Sequence, residues 1–246
     1  MRCGNANELY RAMHSAIFEH RHERTTTDTC SARPGRTFEA RMGSQFELTA
    51  PEHNVVTEVP IDMRWAIANA LHFFSCTEEA AVLERYNRNA HRYLKDGLWR
   101  GAYGAIAMPQ IDQCIAQLQI SPHTRKAIVE MGHGEVDVNR PACWSTLHFM
   151  TTRFGLGLHC YQRSCSMSVA PFDLIVLTNV LCHVSRETRI PMGSLCWTFG
   201  SLHTDRAADF MSGPRMLSML LPPLSRDQAY DALLNPESHP NVWRGT

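Results

Sequence analysis

Residues 139–173 read NRPACWSTLHFMTTRFGLGLHCYQRSCSMSVAPFD. Pro141 lacks an N–H and biases Arg140 away from helix. Cys143 therefore sits just past a bend, at the head of a strand. Residues 143–152 and 156–164 alternate apolar and polar and read as the two strands of a hairpin. Residues 172–186, FDLIVLTNVLCHVSR, form an apolar helix that should pack over the sheet. A thiol placed this way has two readings. It is a small buried hydrophobe, the common fate of a free cysteine, or it faces a cleft as a nucleophile.

Working outward, residues 7–23 carry Leu9, Tyr10, Met13, Ile17 and Phe18 at helical spacing. Residues 24–36, RTTTDTCSARPGR, are polar and hold Pro34-Gly35, which marks a loop. Arg33 and Arg36 flank its turn, either as solvated side chains or as a guanidinium fork for a phosphate. Residues 37–48 are strand-like and residues 54–59 form a short extended piece. Residues 62–74, DMRWAIANALHFF, make a helix apolar nearly all round, hence buried. Asn69 lies in its middle, where an unpartnered amide costs roughly 1–3 kcal/mol. Residues 77–94 continue as helix, and residues 97–104, GLWRGAYG, form a turn-rich element displaying Trp99 and Tyr103. Residues 110–119 are helical, and residues 122–131 run from a turn with Arg125-Lys126 into a strand. Residues 192–205 read as a strand, then a Gly-Ser turn, then His203. A helix starts at 207–211, a last strand covers 216–221, and the proline-rich tail from 222 wraps the surface. Helix, strands, helices, hairpin, helix and strand in that order make an α+β fold with one mixed sheet covered by helices.

The 246 residues suit one large domain or two small ones. Twenty-four basic residues balance twenty-four acidic ones, so no global field draws the protein to nucleic acid or membrane. An anion site must be a local arginine cluster. The nine cysteines are scattered and odd in number, which fits a reducing, cytoplasmic compartment better than a disulfide framework. The first residues hold no apolar core of a signal peptide, and no apolar run reaches about 18 residues. No metal site is expected. His159, Cys160 and Cys165 fall on a strand and its turn, a poor geometry for zinc.

The chemistry-bearing residues are a positioned cysteine, a tyrosine in a glycine-rich turn, and a set of arginines. Arg163 beside Ser164, with Arg33, Arg125 and Lys126, supplies donors for a phosphate. Asp173 heads an apolar helix. It is either a cap at the positive end of the helix dipole or a carboxylate that pairs with an amidine-like edge, such as the N3/N4 side of cytosine.

Seven segments taken in order resemble the thymidylate synthases and their sisters, the cytidylate 5-hydroxymethylases. The N-terminal helix and arginine loop match in order. GAYG resembles the family's V-Y-G turn, and TRKAIVEM its R-R-x-I strand. RPACW resembles the nucleophile segment P-P-C-H, and YQRS is identical to Y-Q-R-S. PFD stands where synthases carry P-F-N, and GSLH resembles G-D-x-H.

The resemblance implies one thymidylate synthase-like catalytic domain over residues 1–246, with a sheet that packs back to back against a second subunit. It implies that Cys143 attacks C6 of a pyrimidine nucleotide. C5 then takes a one-carbon unit from 5,10-methylenetetrahydrofolate. Arg33, Arg163 and Ser164 would hold the phosphate, and Arg125 and Lys126 would reach the neighbouring subunit's phosphate. Tyr103 would help remove the C5 proton, and His203 would touch the sugar. An ionised carboxylate at Asp173 only accepts hydrogen bonds, which suits the N4 amino group of cytosine and repels O4 of uracil. The implied substrate is dCMP or CMP, with dCMP favoured.

The chain departs from the family at several places. Asn69 stands at the family's catalytic glutamate and Trp144 at the histidine after the nucleophile. Ser166 stands at the pterin-binding aspartate, Asp205 at a sugar-reading tyrosine, and Lys126 at an arginine. Of the family's tryptophan pair only Trp99 is near. Three outcomes stand: a 5-hydroxymethyl product, a 5-methyl product with dihydrofolate, or a non-catalytic nucleotide-binding homologue. Supply of modified nucleotides for viral DNA or for nucleoside antibiotics is the role the resemblance suggests.

Overall fold

The computed structural model describes residues 1–19, 24–26, 37–88, 90, 94–95, 98–99, 102–132, 142–204, 209–213 and 215–243. The hairpin is present: β7 spans Trp144–Thr152 and β8 spans Gly155–Ser166, paired antiparallel. Gly155 closes its turn at φ +113°, where a Cβ would meet the Pro191 carbonyl oxygen at 2.3 Å. No other residue fits that turn. The chain leaves β8 through α5 (Ala170–Thr188) and returns as β9 (Met192–Thr204), parallel to β8. A parallel neighbour needs such a crossover, and Pro171 in the first turn of α5 starts it where an N–H would be idle anyway.

On the far side of β9 lies β3 (Thr37–Leu48), antiparallel, flanked by β1 (Arg2–Cys3) and β2 (Arg24–Thr26). β6 (Ile128–Glu130) closes the other edge against β7. The sheet order is β1-β3-β9-β8-β7-β6, mixed in direction, as expected for this α+β chain.

Alternation along β8 sorts its two faces. Leu156, Leu158, Cys160 and Gln162 are buried, while His159 and Tyr161 keep surface. α1 (Ala6–Glu19), α4 (Tyr103–Ile120) and α5 pack on the sheet, and α2 (Met63–Ser75) lies against α4 and α5. Asp62 caps α2 by accepting from the Trp65 N–H at 3.1 Å. Gly104 lets α4 touch α2, because a Cβ there would lie 1.9 Å from the Phe73 carbonyl oxygen.

Several expectations need correction. Among the described residues of 77–94 the only α-helix is α3 (Ala81–Glu84), and a short strand at Leu94–Lys95 (β4) pairs with β5 (Leu98–Trp99). Tyr103 does not sit in a turn; it opens α4, which begins seven residues before position 110 and carries Pro109 inside it. β9 runs unbroken through Gly200-Ser201, so no turn precedes His203. Residues 209–211 are not helical, and the strand at 216–221 reduces to one bridge, Val55 to Leu217. The tail is no surface wrap. It forms α6 (Arg226–Leu234) and α7 (Pro240–Trp243), and Ala229, Ala232, Leu233 and Val242 enter the core.

Candidate active site

Cys143 sits where β7 begins, held to β8 by the Arg163 N–H, which donates to the Cys143 carbonyl at 2.8 Å. The Arg163 guanidinium turns back along the same edge. Its Nε donates to the Ala142 carbonyl at 2.9 Å, and its Nη2 lies 4.0 Å from the Cys143 sulfur. A cation at that distance is the partner a thiolate needs. From the first turn of α4, the Tyr103 hydroxyl accepts the Cys143 N–H at 3.1 Å. Burial, then the nearby Cys143 and Asp173 groups, push the Tyr103 phenol well above its ordinary range. It is a neutral hydroxyl at working pH, able to donate or to pass a proton but not to stand as phenolate.

Asp173, in the first turn of α5, reaches the same cluster through Gln162. The Gln162 amide donates from Nε2 to Asp173 Oδ2 at 3.0 Å and to the Ser164 carbonyl at 3.1 Å. Its Oε1 accepts from the Trp197 indole N–H at 3.0 Å. An indole N–H can only donate, so the amide cannot flip, and Asp173 is presented with a donor, never with an acceptor. Burial raises the Asp173 carboxyl to about 6, against the Gln162 hydrogen bond and the nearby Trp144 indole, which pull it down. The residue as a whole is only partly buried. The Trp144 indole N–H, although close enough to act on the carboxylate, completes no hydrogen bond within bonding distance.

Asn69 lies on α2 one turn before Phe73, whose ring is 6.0 Å from Trp144, so both share the face turned to the cluster. Its Nδ2 donates to the Trp65 carbonyl at 2.7 Å, so the half-buried amide finds one of its partners within its own helix. Ser164 and Ser166 follow on β8. Ser166 bonds the Ser168 hydroxyl at 2.9 Å and pairs in register with His203 on β9, roughly 10 Å along the strand from Arg163.

Arg125 and Lys126 are not brought to Cys143 of their own chain. They precede β6, and the Arg125 carbonyl meets the His148 imidazole at 3.2 Å. That is five residues along β7 from Cys143, or about 15 Å. Arg33 and Asp205 lie outside the described residues, as does the Trp99 side chain. No group of three or more His, Cys, Asp or Glu side chains able to hold a metal occurs among the described residues.

Reading the sequence missed the roles of Gln162 and Trp197. A signal for Gln162 was present: a polar residue falls in the buried phase set by Leu156, Leu158 and Cys160, so it must answer another buried polar group.

A comparison with protein families matches the family described as thymidylate synthase over residues 8–207.

Proposed function

The chain belongs to the thymidylate synthase family, and from that membership and the geometry around Cys143 we propose that it transfers a one-carbon unit to C5 of a cytidine monophosphate, dCMP by preference. Folate-dependent transfer to a nucleotide C5 is the family's reaction. The base and the product are the proposal. One observation carries it: the Asp173 carboxylate stands close enough to Tyr103, beside Cys143, to act on its phenol, and one of its oxygens is held by the Gln162 amide. Cytosine offers N4–H donors to such an acceptor, and a carboxyl near 6 can share a proton with N3. Uracil would set its O4 against the same oxygen. Buried polar complementarity of this kind discriminates by about 10⁴ or more.

In the proposed reaction the Cys143 thiolate, with Arg163 beside it, bonds to C6. The electron pair of the C5–C6 bond moves to C5 and toward N3, where Asp173 stands. After C5 has taken its new carbon it gives up its proton to solvent, with the Tyr103 hydroxyl beside Cys143 as the nearest carrier. Reversal of the C6–sulfur bond restores the ring and frees the thiolate.

The one-carbon donor supplies a methylene at the oxidation level of formaldehyde. In this reading neutral acceptors would take its amino-pyrimidine edge, the Ser166–Ser168 hydroxyl pair and the Asn69 amide oxygen, with Trp99 near in sequence. Addition of water at that carbon gives 5-hydroxymethyl-dCMP, our first reading. The second reading, 5-methyl-dCMP, draws on Asn69, which stands where the family has a glutamate: one of its two Nδ2 donors goes to the Trp65 carbonyl, and an amide cannot take a proton from a water as a carboxylate can.

We further infer a homodimer, paired through the sheet face that carries His159 and Tyr161, in which Arg125 and Lys126 serve the partner's phosphate. Arg33, Ser164, His203 and Asp205 complete the nucleotide contacts in this reading. No helix among the described residues is long and apolar enough to cross a membrane.

Mass spectrometry of dCMP incubated with enzyme and 5,10-methylenetetrahydrofolate tests the proposal. A hydroxymethyl gain is expected. A methyl gain selects the second reading, and unchanged dCMP beside converted dUMP overturns the base assignment.

A further inference from the structure

Trp144 follows the nucleophile directly, is 1% exposed, and buries an indole N–H with no hydrogen-bond partner. A buried donor without a partner is rare in folded proteins because the lost hydration is not repaid. Its surroundings fix the ring. The Tyr103 ring lies 5.0 Å away on one side and Phe73 6.0 Å away on another, so the indole cannot swing out to find a partner elsewhere. Across the hairpin, Trp144 pairs in register with Gln162, so the two side chains rise from one face of the sheet. Gln162 is the residue that already donates to Asp173.

We propose that Trp144 is a specificity-determining positioning residue whose indole N–H, with the Gln162 amide, forms a two-donor cradle that holds Asp173 as an acceptor-only carboxylate. Two fixed donors behind the carboxylate leave its remaining lone pairs for the base. A ring edge carrying a carbonyl oxygen then meets only acceptors, while an amino group meets an acceptor with no competing donor in front. The indole influences the carboxylate already, lowering its pKa beside Gln162. The other titratable groups facing Asp173 are Tyr103 on α4 and Cys160 and Cys165 on β8. Each is held in its neutral form by burial, so none competes as a charge. The cradle rests on the face Trp144 shares with Gln162, on the unpartnered indole N–H and on its pull on the carboxylate; its effect on substrate choice rests on the cytidylate reading above.

The test uses the full chain with labelled aspartate, titrated by carbon NMR without ligand, with Asp173→Asn identifying the resonance. Trp144→Phe keeps an aromatic ring and removes the N–H. The Asp173 midpoint should rise by about one pH unit. Calorimetry with the nucleotides alone should show dCMP affinity falling about tenfold and dUMP affinity unchanged. The indole proton of Trp144 in the wild-type protein supplies a measurement independent of that variant's folding. It should shift with the Asp173 midpoint, and the shift should vanish in Asp173→Asn. A carboxylate midpoint that ignores Trp144→Phe, or an indole proton blind to Asp173, overturns the cradle whatever the base. A moved midpoint in a wild type that binds dUMP as well as dCMP upholds the cradle and sinks the cytidylate reading instead.

Discussion

Asp173 is where stability and substrate choice pull apart. Its carboxyl is raised from 3.8 to about 6, mainly by burial. The folded state therefore holds the proton more tightly than the unfolded chain. That contribution is fully present below about pH 3.8 and is lost as pH rises through about 6. At pH 8 the ionised carboxylate strains the fold, so Asp173→Asn should stabilise the protein there by about 2 kcal/mol, a figure discounted for partial exposure. At pH 4 the two proteins should melt together. Denaturant titrations at both pH values check this. Cys143, Tyr103, Arg163 and Asp173 were all legible as candidates because each sits in a short recognisable segment. Gln162 and Trp197 were not, since they act on Asp173 through side chains that meet only when β8, β9 and α5 pack. Asn69 was legible as an anomaly. It is half-buried, and its bond to the Trp65 carbonyl shows how an amide is tolerated in a helix, which spacing alone does not reveal.

The hairpin, α2 and α5 were readable because their apolar periods are long and uninterrupted. Residues 77–94 were misread because glutamate and arginine favour helix locally, while among its described residues the core takes just Ala80, Val82, Leu83 and Ala90, too few to hold a long helix. The tail was misread for the opposite reason. Its prolines suggested a coil, but Ser225 and Gln228 form a capping box and Ala229, Ala232 and Leu233 share one buried face. The contact of α2 with α4 offers an element-scale test. A methyl group at Gly104 would press on backbone, not on a side chain that can turn away. Gly104→Ala should cost about 3 kcal/mol and displace Tyr103, so activity should fall with stability. α2 also carries His72, buried, bonded to the Glu79 carbonyl and depressed to about 4 by burial. A histidine held neutral contributes stability above its unfolded pKa and loses it as pH falls from about 6.5 toward 4. Thermal melts should therefore drop over that window in the wild type, and His72→Phe should flatten the drop.

At the scale of the whole molecule, the homodimer proposed above would account for Arg125 and Lys126 lying about 15 Å from their own Cys143, since they would serve the partner's site. The double variant Arg125→Ala/Lys126→Ala and the variant Cys143→Ala should each be inactive as homodimers. Mixed in equal amounts and allowed to exchange, they should recover about a quarter of wild-type activity, since half the dimers would own one intact site. Recovery near zero would mean that the two cations serve their own chain, and an active double variant would mean that they serve neither site. The most direct measurement of all is release of tritium from C5 of labelled dCMP in the presence of 5,10-methylenetetrahydrofolate. The predicted result is release from dCMP by the wild type, none by Cys143→Ala, and none from labelled dUMP. Tritium retained on dCMP by the wild type, or released equally by Cys143→Ala, would contradict nucleophilic activation of cytosine by this cysteine.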